Sequence, residues 1–445
     1  MRDVSVEQLE GKLDDFDSAA RREALDSLIE KVNSGEIILP ESTTDVNLHF
    51  HSFFSYNSNG YSPTKIAWLA RKRGLTIAAV IDFDVLDALD EFLSASKILG
   101  VKACAGLETR VFVPEFSDKV INSPGEPGIA YHIGIGFPNA NLQSGQKEFL
   151  LNLRQTAQKR NRDLMDRVNK YLKPVEVDYE KDVLSLTPSG NPTERHICIA
   201  FAQKANKIFH DRQSLADFWS AKLGVEIDIS MLPESKELLN TIRAKTMKCG
   251  GAGYVTPDRN SFPLMTDTNQ FFLEAGAIPT VAWLDGTSEG EREMENLLEI
   301  TMSTGAAAIN IIPDRNYIPG VKDVKLENLY KVVELAEKLN LPVLVGTEMN
   351  SPGQKFVDSF GTKELFHLVP VFLKGANIVY AHSVLQDQCG LGYTSEWAKE
   401  NFRDTKKKNE FYENLGRLIE PQRQEECKYF DNDTVPGQIL ERFNN

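Results

Sequence analysis

Asn47 to Phe112 reads NLHFHSFFSYNSNGYSPTKIAWLARKRGLTIAAVIDFDVLDALDEFLSASKILGVKACAGLETRVF. Val46 to His51 reads as a short strand. Ser62-Pro63 then makes a helix start, a hydroxyl cap followed by a proline whose missing N–H costs nothing in the first turn. Ile66, Ala67 and Ala70 mark that helix's buried face, and Gly74 ends it. Leu75 to Asp82 (LTIAAVID) is apolar enough for a buried strand. A second helix from about Asp87 to Leu99 closes at Gly100, and Val101 to Val113 returns as a strand. Strand–helix alternation of this kind predicts a parallel sheet covered by helices.

The same texture extends outward, with one long interruption. Tyr131 to Phe137 (YHIGIGF) is a further strand candidate, and alternation resumes with strands at Pro279–Trp283, Ala306–Ile312 and Leu341–Thr347. Helices near 288–303 and 324–340 separate these, and a helix at 363–374 and a strand at 376–381 come next. Residues 145–245 are largely polar with helical patches and predict a helical insertion capping the core. Upstream, Leu9, Leu13, Phe16, Ala20, Leu25, Leu28 and Val32 recur at helical spacing over 5–34. The division expected is an N-terminal helical extension (1–44), an α/β barrel (45–385) that includes a largely helical insertion (138–275), and a charged helical tail (386–445). Seven parallel-type strands favour a barrel over an open sheet, and in such barrels site residues sit at the C-terminal ends of strands.

Composition narrows the function classes. The 445 residues carry 50 Lys plus Arg against 64 Asp plus Glu, a net charge of −14. That argues against a chain that works by wrapping long nucleic acids, whose affinity comes mostly from cationic surface. It leaves room for one small anionic substrate held by a metal ion. No continuous apolar run suggests a membrane span and Met1 to Glu10 lacks the pattern of a signal peptide, so a cytoplasmic protein is expected. The five cysteines are scattered, with no C-x-x-C pair, which points to neither a disulfide framework nor a thiolate metal site.

Histidine is scarce, seven in all, so its placement is informative. His49 and His51 stand at i and i+2 in a strand, hence on one face, and two imidazoles at a strand end can ligate one metal ion. Other polar groups also fall at strand ends: Asp82, Asp84, Glu108, His132, Glu348 and Asn350. His and carboxylate groups converging from five strands are the arrangement expected of a metal site open to substrate. Asp82 and Asp84 are candidates for orienting a ligand or moving a proton, or else simply cap the next helix.

The order of these pieces resembles the PHP superfamily, the polymerase and histidinol phosphatase domains. The likeness rests on LHFHS, the Ser-Pro helix start, LTIAAVIDFD and GLE. It continues through YHIGIGF, TERHICIAFAQKAN, GGAGYVTPDRNSFP, GAIPTVAW and VGTEMN, over about residues 45–350. The later stretches are similar to the branch that hydrolyses nucleotide phosphomonoesters. The resemblance implies a distorted (β/α)7 barrel and a metal-dependent phosphoesterase acting on a small phosphorylated molecule or nucleotide.

Carried over by position, it implies a first ion held by His49, His51, Glu108 and Glu348. A second ion would use His132, but its other histidine falls at Trp283, so Asp285 or water would have to substitute. The ligands of a third ion fall at Tyr56 or Asn57, Phe83 and Asn350, none of them the usual type. A reduced centre of one or two divalent ions (zinc, manganese or iron) follows. The alternative is an inactive barrel of this type that binds a ligand or partner. Arg195 and His196, at a helix start within TERHICIAFAQKAN, and Lys248 are candidates for holding substrate phosphate. His382 is expected at the end of the 376–381 strand, where a place near the site is the lesser reading and one away from it the favoured reading.

Overall fold

The computed structural model describes residues 4–257, 261–318, 320 and 323–444; Asp258, Arg259 and Asn260 of the GGAGYVTPDRNSFP stretch lie outside them. Seven strands form one sheet in sequence order: β1 (Val46–Phe50), β2 (Ile77–Phe83), β3 (Lys102–Phe112), β4 (Ile129–Ile135), β5 (Ile278–Trp283), β6 (Ala308–Ile311) and β7 (Val343–Val345). The sheet curls into a nearly closed barrel. β1 meets the chain just beyond β7 through a bridge between Phe50 and Glu348. There the Glu348 N–H donates to the His49 carbonyl and the His51 N–H to the Glu348 carbonyl, both at 2.8 Å. Gly346 permits this closure, because a Cβ there would run into the backbone and Cβ of His49.

The expectation of seven parallel strands needs correction. β4 runs antiparallel to both β3 and β5, while β1–β2–β3 and β5–β6–β7 are parallel. The N-terminal end of β4 therefore lies beside the C-terminal ends of its neighbours. No single crossover helix precedes β4; a loop with one short turn, Pro114–Phe116, connects it to β3.

The flanking helices follow their local signals. Ser62 caps the helix Pro63–Lys72 by accepting from the Lys65 N–H, and Gly100, in the left-handed region, ends Leu89–Leu99. The N-terminal segment is two helices, Val6–Lys12 and Ser18–Asn33, because Asp17 caps a new start immediately after the first ends. Between β4 and β5 lie the helices Ser144–Leu172, Glu194–Ile208, Arg212–Leu223 and Lys236–Thr246. They share an apolar cluster of their own that includes Val168, Phe201, Trp219 and Ile242.

The strand expected at 376–381 is instead the middle of a 21-residue helix, Val369–Cys389. A short apolar run looks alike in a buried strand and a buried helix. This helix is apolar on nearly all sides because it is enclosed on nearly all sides. It crosses the end of the barrel opposite the strand C-termini: Gly375 packs on Val343 at the start of β7, and Gly136, just past β4, packs on His382. Among the described residues, Phe366–Cys389 is the one helical segment long and apolar enough to cross a membrane, and most of it is buried inside the protein.

Candidate metal centre and the cavity above it

His49 in β1, His51 just beyond it and Glu108 in β3 meet inside the open end of the barrel. The strand period puts both imidazoles on the barrel's inner face. His51 Nε2 lies 3.2 Å and His49 Nε2 3.4 Å from Glu108 Oε2, with the three residues no more than 2% exposed. Apart from one another, these three atoms have no hydrogen-bond partner. The potential ligand atoms of the group all lie within 4.8 Å of one another. Burial alone would lift the Glu108 carboxyl, but the two facing imidazoles outweigh it and hold it well below the usual carboxylate range. Two imidazole nitrogens and one carboxylate oxygen, buried and otherwise unpartnered, fit a first-row divalent ion.

The other sequence candidates fall at different distances from this group. Glu348 borders it: its charge is felt by His49, but its carboxylate is engaged by Gln354 Nε2 at 3.3 Å and Arg315 at 3.5 Å. His132 is not brought in. It pairs with Thr109 across β3 and β4, faces outward, bonds Asn269 through Nε2 and stacks on Phe272. The inward neighbour is Tyr131, which lines the cavity. Asp285 turns away to Thr287 and Lys325, and Trp283 is packed in the core. Nor does His382 reach the site, since it lies in the helix beneath the barrel and its Nδ1 accepts from the Tyr393 N–H.

Asp82 sits behind His51, bonded to Ser52 and Ser55, and does not reach the cavity. Asp84 does line it, at φ +60°, and accepts from the Thr109 hydroxyl at 2.6 Å; burial chiefly raises its pKa. Phe83 stacks on His51 with ring centroids 4.5 Å apart. Asn57 donates to the His51 carbonyl, whereas Asn350 lines the cavity and Tyr56 does so while meeting His196 edge-on. His196 itself is a capping residue. Its Nδ1 accepts from the Thr193 N–H, and burial pushes its pKa down to about 3.

Above Glu108 opens a cavity of about 500 Å³ between the barrel mouth and the helices after β4. Among the described residues, its wall carries seven basic side chains (Arg110, Arg160, Arg195, Lys236, Arg243, Lys248 and Arg315) and four acidic ones (Asp84, Glu108, Glu194 and Glu348). An excess of cations here is notable in a chain of net charge −14, and it concentrates an attractive field for anions in one cleft. Glu194 holds both Lys248 at 2.8 Å and Arg243 at 2.9 Å. Arg195 bonds neutral groups, Asn240 Oδ1 and Ser351 Oγ, and Arg160 donates to the Ser261 carbonyl. Arg110, Arg160, Arg243 and Glu194 were not foreseen from the sequence. Arg110 carried a readable signal, since it lies two residues beyond Glu108 on the same strand face.

No sequence family matches the chain, and no curated protein matches it. Among solved structures, the chain is similar to an amidohydrolase from Chromobacterium violaceum with bound sulfate and no metal. The TM-score is 0.48 at 17% identity, covering 69% of this chain and 88% of that one. It is also similar to a structure described as a metal-dependent phosphoesterase from Bifidobacterium adolescentis. There the TM-score is 0.47 at 16% identity, covering 75% of this chain and 98% of that one.

Proposed function

We propose that the chain is a metal-dependent phosphoesterase acting on a small phosphorylated molecule, with one divalent ion held by His49, His51 and Glu108. One observation carries this reading: three buried ligand atoms, with no partner but one another, converge at the floor of a cavity whose wall is predominantly cationic. A zinc, manganese or iron ion bound there would supply Lewis acidity and a means of ionising water near neutral pH.

The chain's own residues do the rest. Arg195, Lys248 and Arg243 hold and orient the phosphate against the floor, as charge-assisted donors do for oxyanions. Asp84, at the cavity wall with a raised pKa, is placed to hold or pass a proton at its carboxylate. Glu348 closes the rim through Arg315. The retained H-x-H and G-x-E order resembles the PHP superfamily, in keeping with this chemistry. The cavity is of small-molecule size, which suits a metabolite or nucleotide and not a long nucleic acid.

A second reading has one observation in its favour. Phe83, at a position where the PHP resemblance implies a metal ligand, stacks on His51 instead, so the same cavity could serve a non-catalytic ligand-binding protein. Elemental analysis followed by a phosphomonoester panel separates the two. About one equivalent of divalent metal per chain, with hydrolysis that Glu108→Ala abolishes, supports the phosphoesterase. Metal-loaded protein that hydrolyses nothing on the panel sinks it.

A further inference from the structure

Behind the metal-facing edge of His51 lies a second layer of hydrogen bonds whose direction the geometry fixes. Asp82 Oδ1 accepts from the Ser52 N–H at 2.8 Å and from the Ser55 hydroxyl at 2.5 Å, while Oδ2 accepts from the Ser52 hydroxyl at 2.5 Å. Ser52, Ser55, Asp82 and His51 are each no more than 1% exposed, so solvent does not stand in for any of these partners. A backbone N–H can only donate, so Oδ1 is an acceptor whichever charge state Asp82 adopts. Three donors converge on this carboxyl, two on Oδ1 and one on Oδ2, the arrangement of a group that accepts at both oxygens. The one hydrogen of the Ser55 hydroxyl is therefore committed to Asp82, which leaves its oxygen lone pair to face His51 Nδ1 at 3.2 Å.

We infer that Asp82 and Ser55 are positioning residues that keep a proton on His51 Nδ1 and so leave Nε2 as the nitrogen available to an ion. This rests on the metal-centre reading for its purpose but not for its geometry. An outer shell of this kind orients ligating histidines in metal sites generally. His49 is held in parallel fashion: its Nδ1 lies 3.0 Å from the amide oxygen of Asn310, and its Nε2 also turns to Glu108. Both imidazoles thus present the same nitrogen to one point, each fixed by a different strand: β2 through Asp82 and β6 through Asn310.

The arrangement explains why a buried carboxylate that never reaches the cavity stands at the end of β2. Its partners are both on the loop 52–55, so it also pins that loop to the strand. Ser52→Ala would loosen the pin, whereas Ser55→Ala cuts the link to His51 and leaves the two Ser52 bonds in place.

The test is nitrogen–proton correlation NMR of the full chain labelled at histidine, with His51 assigned through His51→Gln, alongside zinc affinity by competition. The expected result is a Nδ1–H signal for His51, protected from exchange, in metal-free and zinc-loaded protein alike. Ser55→Ala should lose that protection and bind zinc roughly 10- to 100-fold more weakly. A wild-type His51 carrying its only proton on Nε2 would overturn the inference, as would a folded Ser55→Ala variant unchanged in both readouts. A protected Nδ1–H in a protein that takes up no zinc would support the positioning role and overturn the metal reading.

Discussion

Thr109 and His132 are direct partners across the antiparallel β3–β4 pair, so both side chains lie on the face of the sheet opposite Glu108. His132 is fully buried there against Asn269 and Phe272, and burial lowers its pKa to about 4. It is a packing residue of the barrel wall. His132→Ala is expected to leave metal content unchanged and to cost about 1–3 kcal/mol of stability. The measurement is elemental analysis beside urea unfolding; loss of metal without loss of stability would contradict the placement.

The same burial sets a pH dependence. His132, His196 and His382 all have pKa values lowered by burial, to about 4, 3 and 3. A histidine held neutral in the fold binds a proton more readily when unfolded, so stability is lost as pH falls below the unfolded value of about 6.5. Thermal melts across that range should show a steep acid limb. His132→Gln, uncharged at every pH, should flatten part of it. An acid limb of unaltered slope in that variant would show that His132 is not held neutral.

How much of this was legible depends on which physical rule each residue obeys. His49 and His51 were readable because a strand's period of two is fixed by its backbone, and H-x-H must share a face; Glu108 was readable as a carboxylate in the third strand and through the resemblance that GLE carries. His132 was not, because Tyr131 and His132 are adjacent. Which of the two faces inward depends on the register of β4 against β3, and a slip of one residue exchanges them. The antiparallel direction of β4 leaves no mark in YHIGIGF itself. The enclosed helix Val369–Cys389 was misread for a different reason, since uniform burial removes the polar stripe that distinguishes helix from strand. The cationic wall was only partly visible. Arg110 comes from a strand, whereas Arg160, Arg195 and Arg243 come from three different helices that only the folded chain brings together.

That wall should govern substrate affinity more than chemistry. Arg195 lines the cavity and bonds only neutral partners in Asn240 and Ser351, so its charge is available to an incoming anion. Removing a charge-assisted hydrogen bond costs ~1.5–3 kcal/mol, which is roughly a 10- to 100-fold change in binding. Arg195→Ala is expected to raise KM for a phosphorylated substrate by that factor while metal content stays constant. Arg195→Lys should recover only part, because the planar two-pronged contact is lost. Equal KM in wild type and Arg195→Ala would remove this residue from the substrate site.

Away from the metal group, Asp314 and Asp358 tie the loop after β6 to the loop after β7, and through Arg315 and Glu348 they brace the rim of the cavity. The Asp314 N–H donates to Asp358 Oδ1 at 3.1 Å, and Lys355 pairs with Asp314 Oδ2 at 2.8 Å. The two carboxyls also meet side chain to side chain, and Asp314 Oδ1 and Asp358 Oδ2 have no other partner. Burial first, and then the neighbouring Asp314 charge, raise the pKa of Asp358 well above the ordinary carboxylate value. A carboxyl with a raised folded pKa contributes stability that is complete below the unfolded value, about 3.9, and is lost as pH rises through the folded one. Asp358→Asn keeps an acceptor for the Asp314 N–H and adds an uncharged donor for its carboxylate. Its melting temperature is therefore expected to match or exceed wild type at about pH 8 and to change less with pH. Asp358→Ala, which removes the acceptor as well, should melt lower at every pH. If Asp358→Asn proved as destabilising as Asp358→Ala at alkaline pH, the carboxylate would be needed in its charged form and the pairing described between these two loops would be wrong.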